Sequence, residues 1–307
     1  MSKFKYLFYA ILNYIQVSKI IIALGITLST LLGYLLFSPY ADKIFWITAT
    51  ASFLLSSGAG ALNNYQDRNL DKLLKRTSKR PLPLGSISEK LVLSQAFILI
   101  LSALTAFVFT HNPISTIFLA LFGILFYNAI YTPLKSRTSL AILPGSVCGM
   151  IPPLMGWSAA GGELLFFLDV NNLMINRDII FIMAILGIWQ IPHFWLILLN
   201  YADDYEDSYV KYRLASMVGL FSRSQLKRIM LIWILLYSVM LIMTPIFYFG
   251  LSWITKFAVT SNGVCIFIFF VKSHVYTTKR DYRFEFRLLN SSMVLFILAM
   301  ILDLLQL

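Results

Sequence analysis

The chain has 307 residues, of which 59% are hydrophobic and only 13% are charged, and its formal net charge is +11. Soluble domains contain about 45–50% apolar and about 25% charged residues, so the composition excludes a soluble globular protein. The 15 Gly, 10 Pro and 2 Cys residues also exclude collagen-like, disordered and disulfide-stabilised chains, which leaves a polytopic integral membrane protein of the all-α class.

Nine apolar stretches are long enough to cross the roughly 30 Å hydrocarbon core as helices, which takes about 17–25 residues each. They lie at 18–37, 44–62, 91–110, 114–131, 139–157, 179–199, 228–248, 252–271 and 289–306. The connections between them include no long linkers and no low-complexity tracts. The sequence therefore predicts a helical bundle of about nine transmembrane helices, with residues 1–307 forming a single domain.

The basic residues are concentrated in alternate connections between these stretches. The links at 111–113 and 249–251 contain no Lys or Arg, whereas the links after the second, fourth, sixth and eighth stretches contain most of the basic residues. Together with the N-terminal residues, 21 of the 25 basic residues fall on one side of the membrane. By the positive-inside rule this side is cytoplasmic, so we expect a cytoplasmic N-terminus and an external C-terminus.

Three oxygen-bearing side chains recur every four residues where the second stretch ends, namely Asn63, Asp67 and Asp71. If the helix continues, the three positions drift by only about 80° and share one face over about 12 Å. Such a face suits Mg²⁺, which typically takes one or two carboxylates together with water and substrate phosphate. We therefore predict that all three residues are metal ligands; the alternative is a solvated loop in which nearby bases neutralise interfacial acids.

A basic segment at residues 72–85 follows the acidic face and contains Arg76, Lys79 and Arg80. Carboxylates next to Lys and Arg are typical of a site for a metal-bound phosphate, because the metal and the bases neutralise the phosphate together. The next helix is predicted to open at a capping box formed by Ser86 and Glu89, which would make the basic segment a defined loop between two helices.

Two further basic residues, Lys135 and Arg137, follow the fourth stretch on the same side of the membrane. They could stabilise a departing diphosphate, as cations do where negative charge develops during a reaction. Without the acidic residues, charges that only set the topology would be the preferred interpretation.

A second acidic cluster follows the sixth stretch, with Asp203, Asp204 and Asp207 on the same side of the membrane. Asp203 and Asp207 are again four residues apart, and two acidic faces could hold two Mg²⁺ ions around one diphosphate. The alternative is an acidic loop paired with the bases that follow it. Within the same stretch, His193 lies beside Pro192, which breaks the backbone ladder, and is a candidate for either a functional or a structural role.

Three blocks of the sequence resemble the UbiA superfamily of membrane-embedded prenyltransferases, and in particular its heme branch, the protoheme IX farnesyltransferases or heme O synthases. The blocks are Asn63-x3-Asp67-x3-Asp71 continuing to Arg80-Pro81-Leu82-Pro83-x-Gly85, Gly149-x-Ile151-Pro152-Pro153-Leu154-x-Gly156-Trp157, and Trp189-Gln190-x-Pro192-His193-Phe194-Trp195 followed by Asp203-Asp204-Tyr205. The first block is typical of the superfamily, and the other two resemble the heme branch. The segment Tyr131-x3-Lys135 is more similar to branches that prenylate quinone precursors.

The resemblance implies a Mg²⁺-dependent transfer of farnesyl from farnesyl diphosphate to a vinyl group of protoheme IX, in a bacterial plasma membrane and without a nucleic-acid partner. The implied metal ligands are Asn63, Asp67, Asp71, Asp203 and Asp207; the implied diphosphate-binding residues are Lys135, Arg137, Asp204 and the loop from Arg76 through Lys79 to Arg80. His193 is the candidate for orienting the acceptor. The alternatives are prenylation of an aromatic quinone precursor and, in another class, a transporter whose acids form an ion path.

Overall fold

The computed structural model describes residues 12–164, 176–203, 221–248, 250–276 and 281–306, and within these ranges all regular secondary structure is helical. Its main helices follow the predicted apolar stretches in order: α1 Ile20–Phe37, α2 Lys43–Asp71, α3 Glu89–Phe107, α4 Pro113–Ile124, α5 Ile142–Ala159, α6 Arg177–Asn200, α7 Arg223–Phe247, α8 Trp253–Tyr276 and α9 Tyr282–Leu304. The predicted all-α bundle is therefore confirmed.

In the described part of the chain, eight helices are long and apolar enough to cross a membrane, α4 being counted with its continuation to Leu134, and they identify an integral membrane protein. The predicted span outside this set is α5, whose 18 residues include Pro152 and Pro153. Every α5 residue from Ile151 to Ala159 is buried. This half of α5 packs against neighbouring helices and not against lipid. Its side chains can therefore be less apolar than those of a helix that faces lipid.

Consecutive helices pack side by side from α1 to α9, and α9 returns to pack on α1. Two additional contacts divide the bundle, because α1 also packs on α5 and α6 also packs on α9. Helices α1–α5 and α6–α9 therefore form two closed groups, which meet where α5 packs on α6, where α9 packs on α1 and where α1 contacts α6.

The contact between α1 and α5 depends on two glycines. A Cβ atom added to Gly33 would lie 1.8 Å from the carbonyl oxygen of Pro153, and one added to Gly156 would lie 1.7 Å from that of Thr30. Small residues let the backbones of membrane helices approach closely, where van der Waals packing drives their association. These glycines hold α1 against the middle of the first group of helices.

The helix α2 continues nine residues beyond the predicted end of its apolar stretch and stops only at Asp71. The basic segment that follows is a folded loop, in which Leu74 and Leu82 are buried. The predicted capping box is wrong, because α3 begins at Glu89 itself. The Glu89 side chain pairs with Arg68, and the Ser86 hydroxyl donates to the carbonyl oxygen of Pro81. The Ser86 hydroxyl therefore bonds within the loop and not to the N-terminus of α3.

Candidate functional site

Because α2 continues as a regular helix, Asn63, Asp67 and Asp71 lie on one face, as the four-residue spacing predicts. All three are buried, with 2%, 5% and 4% of their surfaces exposed. Ionised side chains are rarely buried to this extent unless they are paired or bind a metal. This face is therefore the starting point for a functional site.

A Lys or Arg side chain contacts each of these three side chains. The Lys135 ammonium contacts Asp67, and the Arg80 guanidinium donates to Asp71 at 2.8 Å. The ammonium of Lys19, which immediately precedes α1, donates to Oδ1 of Asn63 at 2.5 Å. Three separate segments of the chain thus bring positive charge to one face of α2.

The donor set fits a hard cation bound together with a phosphate. Lys135 and Arg80 each hold one carboxylate oxygen, Oδ2, and Oδ1 of Asp67 and of Asp71 has no hydrogen-bond partner among the described residues. Two open carboxylate oxygens one helical turn apart match the one or two carboxylates that Mg²⁺ takes in sites completed by water and phosphate. Within the described ranges no three His, Cys, Asp or Glu side chains come together, so a cation here would need ligands from its substrate.

The end of α4 presents Lys135 through a change of helix type. Residues Leu125–Tyr131 form a π-helical segment, and a last turn, Thr132–Leu134, follows it. The Thr132 hydroxyl accepts a hydrogen bond from Nδ2 of Asn63 at 2.8 Å and donates to the carbonyl oxygen of Tyr127. Asn63 therefore ties the last turn of α4 to the acidic face, and Lys135 follows this turn directly. π-helical segments are rare and often occur at functional sites.

A pair of amides holds the π-helical segment against α2. Gln66 donates to the carbonyl oxygen of Asn128 at 3.0 Å, and Asn128 donates both to Oε1 of Gln66 and to the carbonyl oxygen of Ala59, each at 3.1 Å. Because Asn128 is buried, these bonds fix the position of the segment on α2.

The predicted second acidic cluster is only partly visible. Asp203 lies just beyond α6, where its side chain is 88% exposed and pairs with Arg223. Asp204 and Asp207 lie outside the described residues. The end of α6 nevertheless reaches the basic loop, because the Arg76 guanidinium lies 5.0 Å from the centroid of the Tyr201 ring. The two predicted clusters thus approach each other through this cation–π contact.

Two other predicted phosphate-binding residues, Lys79 and Arg137, are exposed. In the described part of the chain, neither side chain has a hydrogen bond to the acidic face of α2. Their assignment stays a prediction.

Four partly exposed residues of α6, Gln190, His193, Phe194 and Ile197, form a stripe along its second half. Its i, i+3, i+4, i+7 spacing places these side chains on one helix face. The Phe194 ring lies 6.4 Å from that of Tyr131, whose ring in turn lies 5.9 Å from the Lys135 ammonium. An aromatic path therefore leads from the charged site to the interior of the bundle.

Sequence patterns did not identify several residues of this site. Lys19 falls within the first apolar stretch, so it is one of the four basic residues that lie outside the basic connections and the N-terminal segment. A lone base at the start of an apolar stretch was the available signal. Gln66, Asn128 and Thr132 gave no signal, since single polar residues in helices have many uses.

The model of the UbiA prenyltransferase family matches residues 10–297 of this chain. A protoheme IX farnesyltransferase from Geobacter sulfurreducens is 35% identical over 173 residues, which span 56% of this chain and 60% of that protein. A protoheme IX farnesyltransferase from Nitratidesulfovibrio vulgaris is 28% identical over 246 residues, which span 80% of each chain.

Solved structures share the fold at much lower sequence identity. A digeranylgeranylglyceryl phosphate synthase has a TM-score of 0.71 at 13% identity, and the match covers 97% of this chain and all of that one. A UbiA homolog from Archaeoglobus fulgidus, bound to GPP and Mg²⁺, has a TM-score of 0.66 at 11% identity and is matched over its whole length by 96% of this chain.

Proposed function

The chain belongs to the UbiA prenyltransferase family, and from this premise we propose that it transfers a farnesyl group from farnesyl diphosphate to a vinyl group of protoheme IX. The observation that carries the proposal is the row of buried oxygens on α2, each contacted by a Lys or Arg from a different segment. The relatives named protoheme IX farnesyltransferase support heme as the acceptor.

The charged residues at the end of the bundle bind and neutralise the diphosphate. Lys135 and Arg80 are held by Asp67 and Asp71, so their positive ends are in place before the substrate arrives. Such preorganised cations stabilise charge that develops on a leaving group. Lys19 supplies a third cation that approaches from α1.

Asn63, Asp67 and Asp71 would hold Mg²⁺ on the diphosphate, and Asp203 and Asp207 would hold a second ion. When bound, Mg²⁺ supplies positive charge that makes the diphosphate a better leaving group. The homolog with GPP and Mg²⁺ supports this use of a divalent cation in the fold.

Prenyl transfer begins when the bond between the farnesyl carbon and the diphosphate oxygen breaks. The resulting allylic cation must be kept from water until the vinyl carbon attacks it. The aromatic path from Tyr131 to Phe194 supports an apolar location for this step. Water then adds its hydroxyl to the remaining vinyl carbon and releases a proton, which gives heme O and diphosphate.

One observation favours a second candidate acceptor. Tyr131-x3-Lys135 resembles branches of the superfamily that prenylate quinone precursors; Lys135 contacts Asp67, and its ammonium lies 5.9 Å from the centroid of the Tyr131 ring. An aromatic ring could occupy the same apolar region.

A direct assay separates the two acceptors. Purified full-length protein is incubated with farnesyl diphosphate, Mg²⁺ and protoheme, and in parallel with 4-hydroxybenzoate, and the products are identified by mass. We expect heme O only in the first reaction, and only when Mg²⁺ is present. Prenylated 4-hydroxybenzoate without heme O would overturn the heme assignment.

The proposed location is the bacterial plasma membrane, with the acidic face and its basic loops on the cytoplasmic side. The concentration of basic residues in these loops supports this orientation.

A further inference from the structure

A polar pair lies where α6 packs on α9. The Nδ1 atom of His193 and the Oδ1 atom of Asn290 are 2.7 Å apart. Asn290 also donates from Nδ2 to the carbonyl oxygen of Phe286, at 2.5 Å. A carbonyl oxygen can only accept, so the second Asn290 bond identifies which of its side-chain atoms is nitrogen.

This assignment determines the tautomer of His193. Because Nδ2 of Asn290 faces Phe286, its Oδ1 faces His193, and an amide oxygen can only accept. The His193 proton must therefore be on Nδ1, from which it is donated to Asn290. The Nε2 atom then carries a lone pair, and within the described ranges no residue forms a hydrogen bond with it.

Two aromatic side chains of neighbouring turns and helices lie beside His193. The His193 ring lies 4.8 Å from that of Trp189 and 4.9 Å from that of Phe286, measured between ring centroids. The Trp189 indole is itself anchored, because its N–H donates to the carbonyl oxygen of Leu289. His193 remains partly exposed although it lies between two packed helices, so space is open beside it.

We propose that Nε2 of His193 binds the iron of the porphyrin acceptor and that Asn290 is the positioning residue that keeps this nitrogen unprotonated. This inference rests on the proposed function, since it assigns a contact to the acceptor. A neutral imidazole is the usual protein ligand of heme iron, and a hydrogen bond from its other nitrogen fixes its tautomer and orientation. Phe194, the next residue, faces Tyr131, so iron bound to His193 places the porphyrin beside the path to the diphosphate.

The test measures binding of ferric protoheme to the purified full-length protein by absorption spectroscopy, without farnesyl diphosphate. We expect an imidazole-ligated spectrum that is lost in His193→Gly and restored by added imidazole. Asn290→Leu should weaken binding about tenfold, as loss of a residue that orients a metal ligand typically does, whereas Asn290→Asp, which still accepts from Nδ1, should retain the spectrum. The control His111→Ala alters an exposed histidine at the opposite end of the bundle and should change nothing.

Iron-free protoporphyrin IX separates ligation from packing. If His193 acts through the iron, His193→Gly should leave protoporphyrin binding, followed by its fluorescence, unchanged. Equal loss of both porphyrins, or an unchanged protoheme spectrum in His193→Gly, would overturn the inference. A ligated spectrum in a protein that forms no heme O would instead contradict the proposed function alone.

Discussion

Asp67 and Asp71 each form an ion pair with one basic side chain, Lys135 and Arg80 respectively. Their side chains are only 6% exposed, whereas those of Lys135 and Arg80 are 22% and 30% exposed. Removing one member of a buried pair leaves an uncompensated charge, which is costly. Each acid therefore holds one cation in place through Oδ2 and leaves its Oδ1 without a hydrogen-bond partner among the described residues.

We expect Asp67→Ala and Asp71→Ala to abolish turnover, with kcat falling by more than about 100-fold. Each change removes the open carboxylate oxygen and also the group that orients Lys135 or Arg80. The measurement is heme O formation, with size-exclusion chromatography in detergent to show that each variant is folded and inserted. Glu89→Ala is the matched control, since it removes an acid from an exposed pair and should keep full activity. Full activity in either aspartate variant would exclude the metal-site assignment.

Lys19 is held in an uncommon backbone conformation, with a φ of 51° and a ψ of 48°. This left-handed conformation is unfavourable in free energy for a residue other than glycine. The hydrogen bond from Lys19 to Asn63 helps to offset this cost. We expect Lys19→Met to raise the KM for the prenyl diphosphate at least about tenfold, because one of three cations around the phosphate is lost. Lys43→Met, which alters an exposed base at the other end of the bundle, should leave the KM unchanged. An unchanged KM in Lys19→Met would mean that Lys19 only packs α1 against α2.

At the scale of helices, hydropathy and spacing predicted the order of the main described helices and the shared face of Asn63, Asp67 and Asp71. Hydropathy did not predict that α2 extends to Asp71, because a helix continues past the apolar boundary when its polar residues find partners. It also did not predict the π-helical segment Leu125–Tyr131, which depends on Gln66, a partner 62 residues away from Asn128. Sequence periodicity identifies a face, but it does not identify what packs on that face.

Two glycines of α1 provide a matched pair for testing the packing on α5. Gly33→Ala should destabilise the protein by about 1–3 kcal/mol, since the new methyl group would overlap the backbone of α5. Gly25→Ala has nothing within 4 Å of the added methyl and should be neutral or slightly stabilising, by at most about 1 kcal/mol. The stability of both variants is measured by heating the protein in detergent and recording how much of the monodisperse peak remains in size-exclusion chromatography. Equal stability of the two variants would show that α1 and α5 do not pack this closely.

At the scale of the whole molecule, the two ends of the bundle differ in charge. The charged end collects Lys19, Arg80 and Lys135 around the acidic face of α2. The contacts at the other end include Asn112 donating to the carbonyl oxygen of Gly162, the Ser252 N–H donating to Asp303 near the end of α9, and a pair between Arg177 and Asp178. Most basic residues are thus at the same end as the acidic face of α2. The positive-inside rule explains the basic residues at that end, but it does not explain the acidic ones.

This asymmetry predicts the orientation of the protein in the membrane. In a background of Cys148→Ser and Cys265→Ser, Lys72→Cys adds an exposed thiol at the charged end and Ala41→Cys adds one between α1 and α2 at the other end. Because basic loops stay in the cytoplasm, a membrane-impermeant maleimide added to intact cells should label Ala41→Cys and not Lys72→Cys. Both should react after permeabilisation, which controls for accessibility. Labelling of Lys72→Cys alone in intact cells would place the acidic face outside, where a cytoplasmic prenyl diphosphate could not reach it.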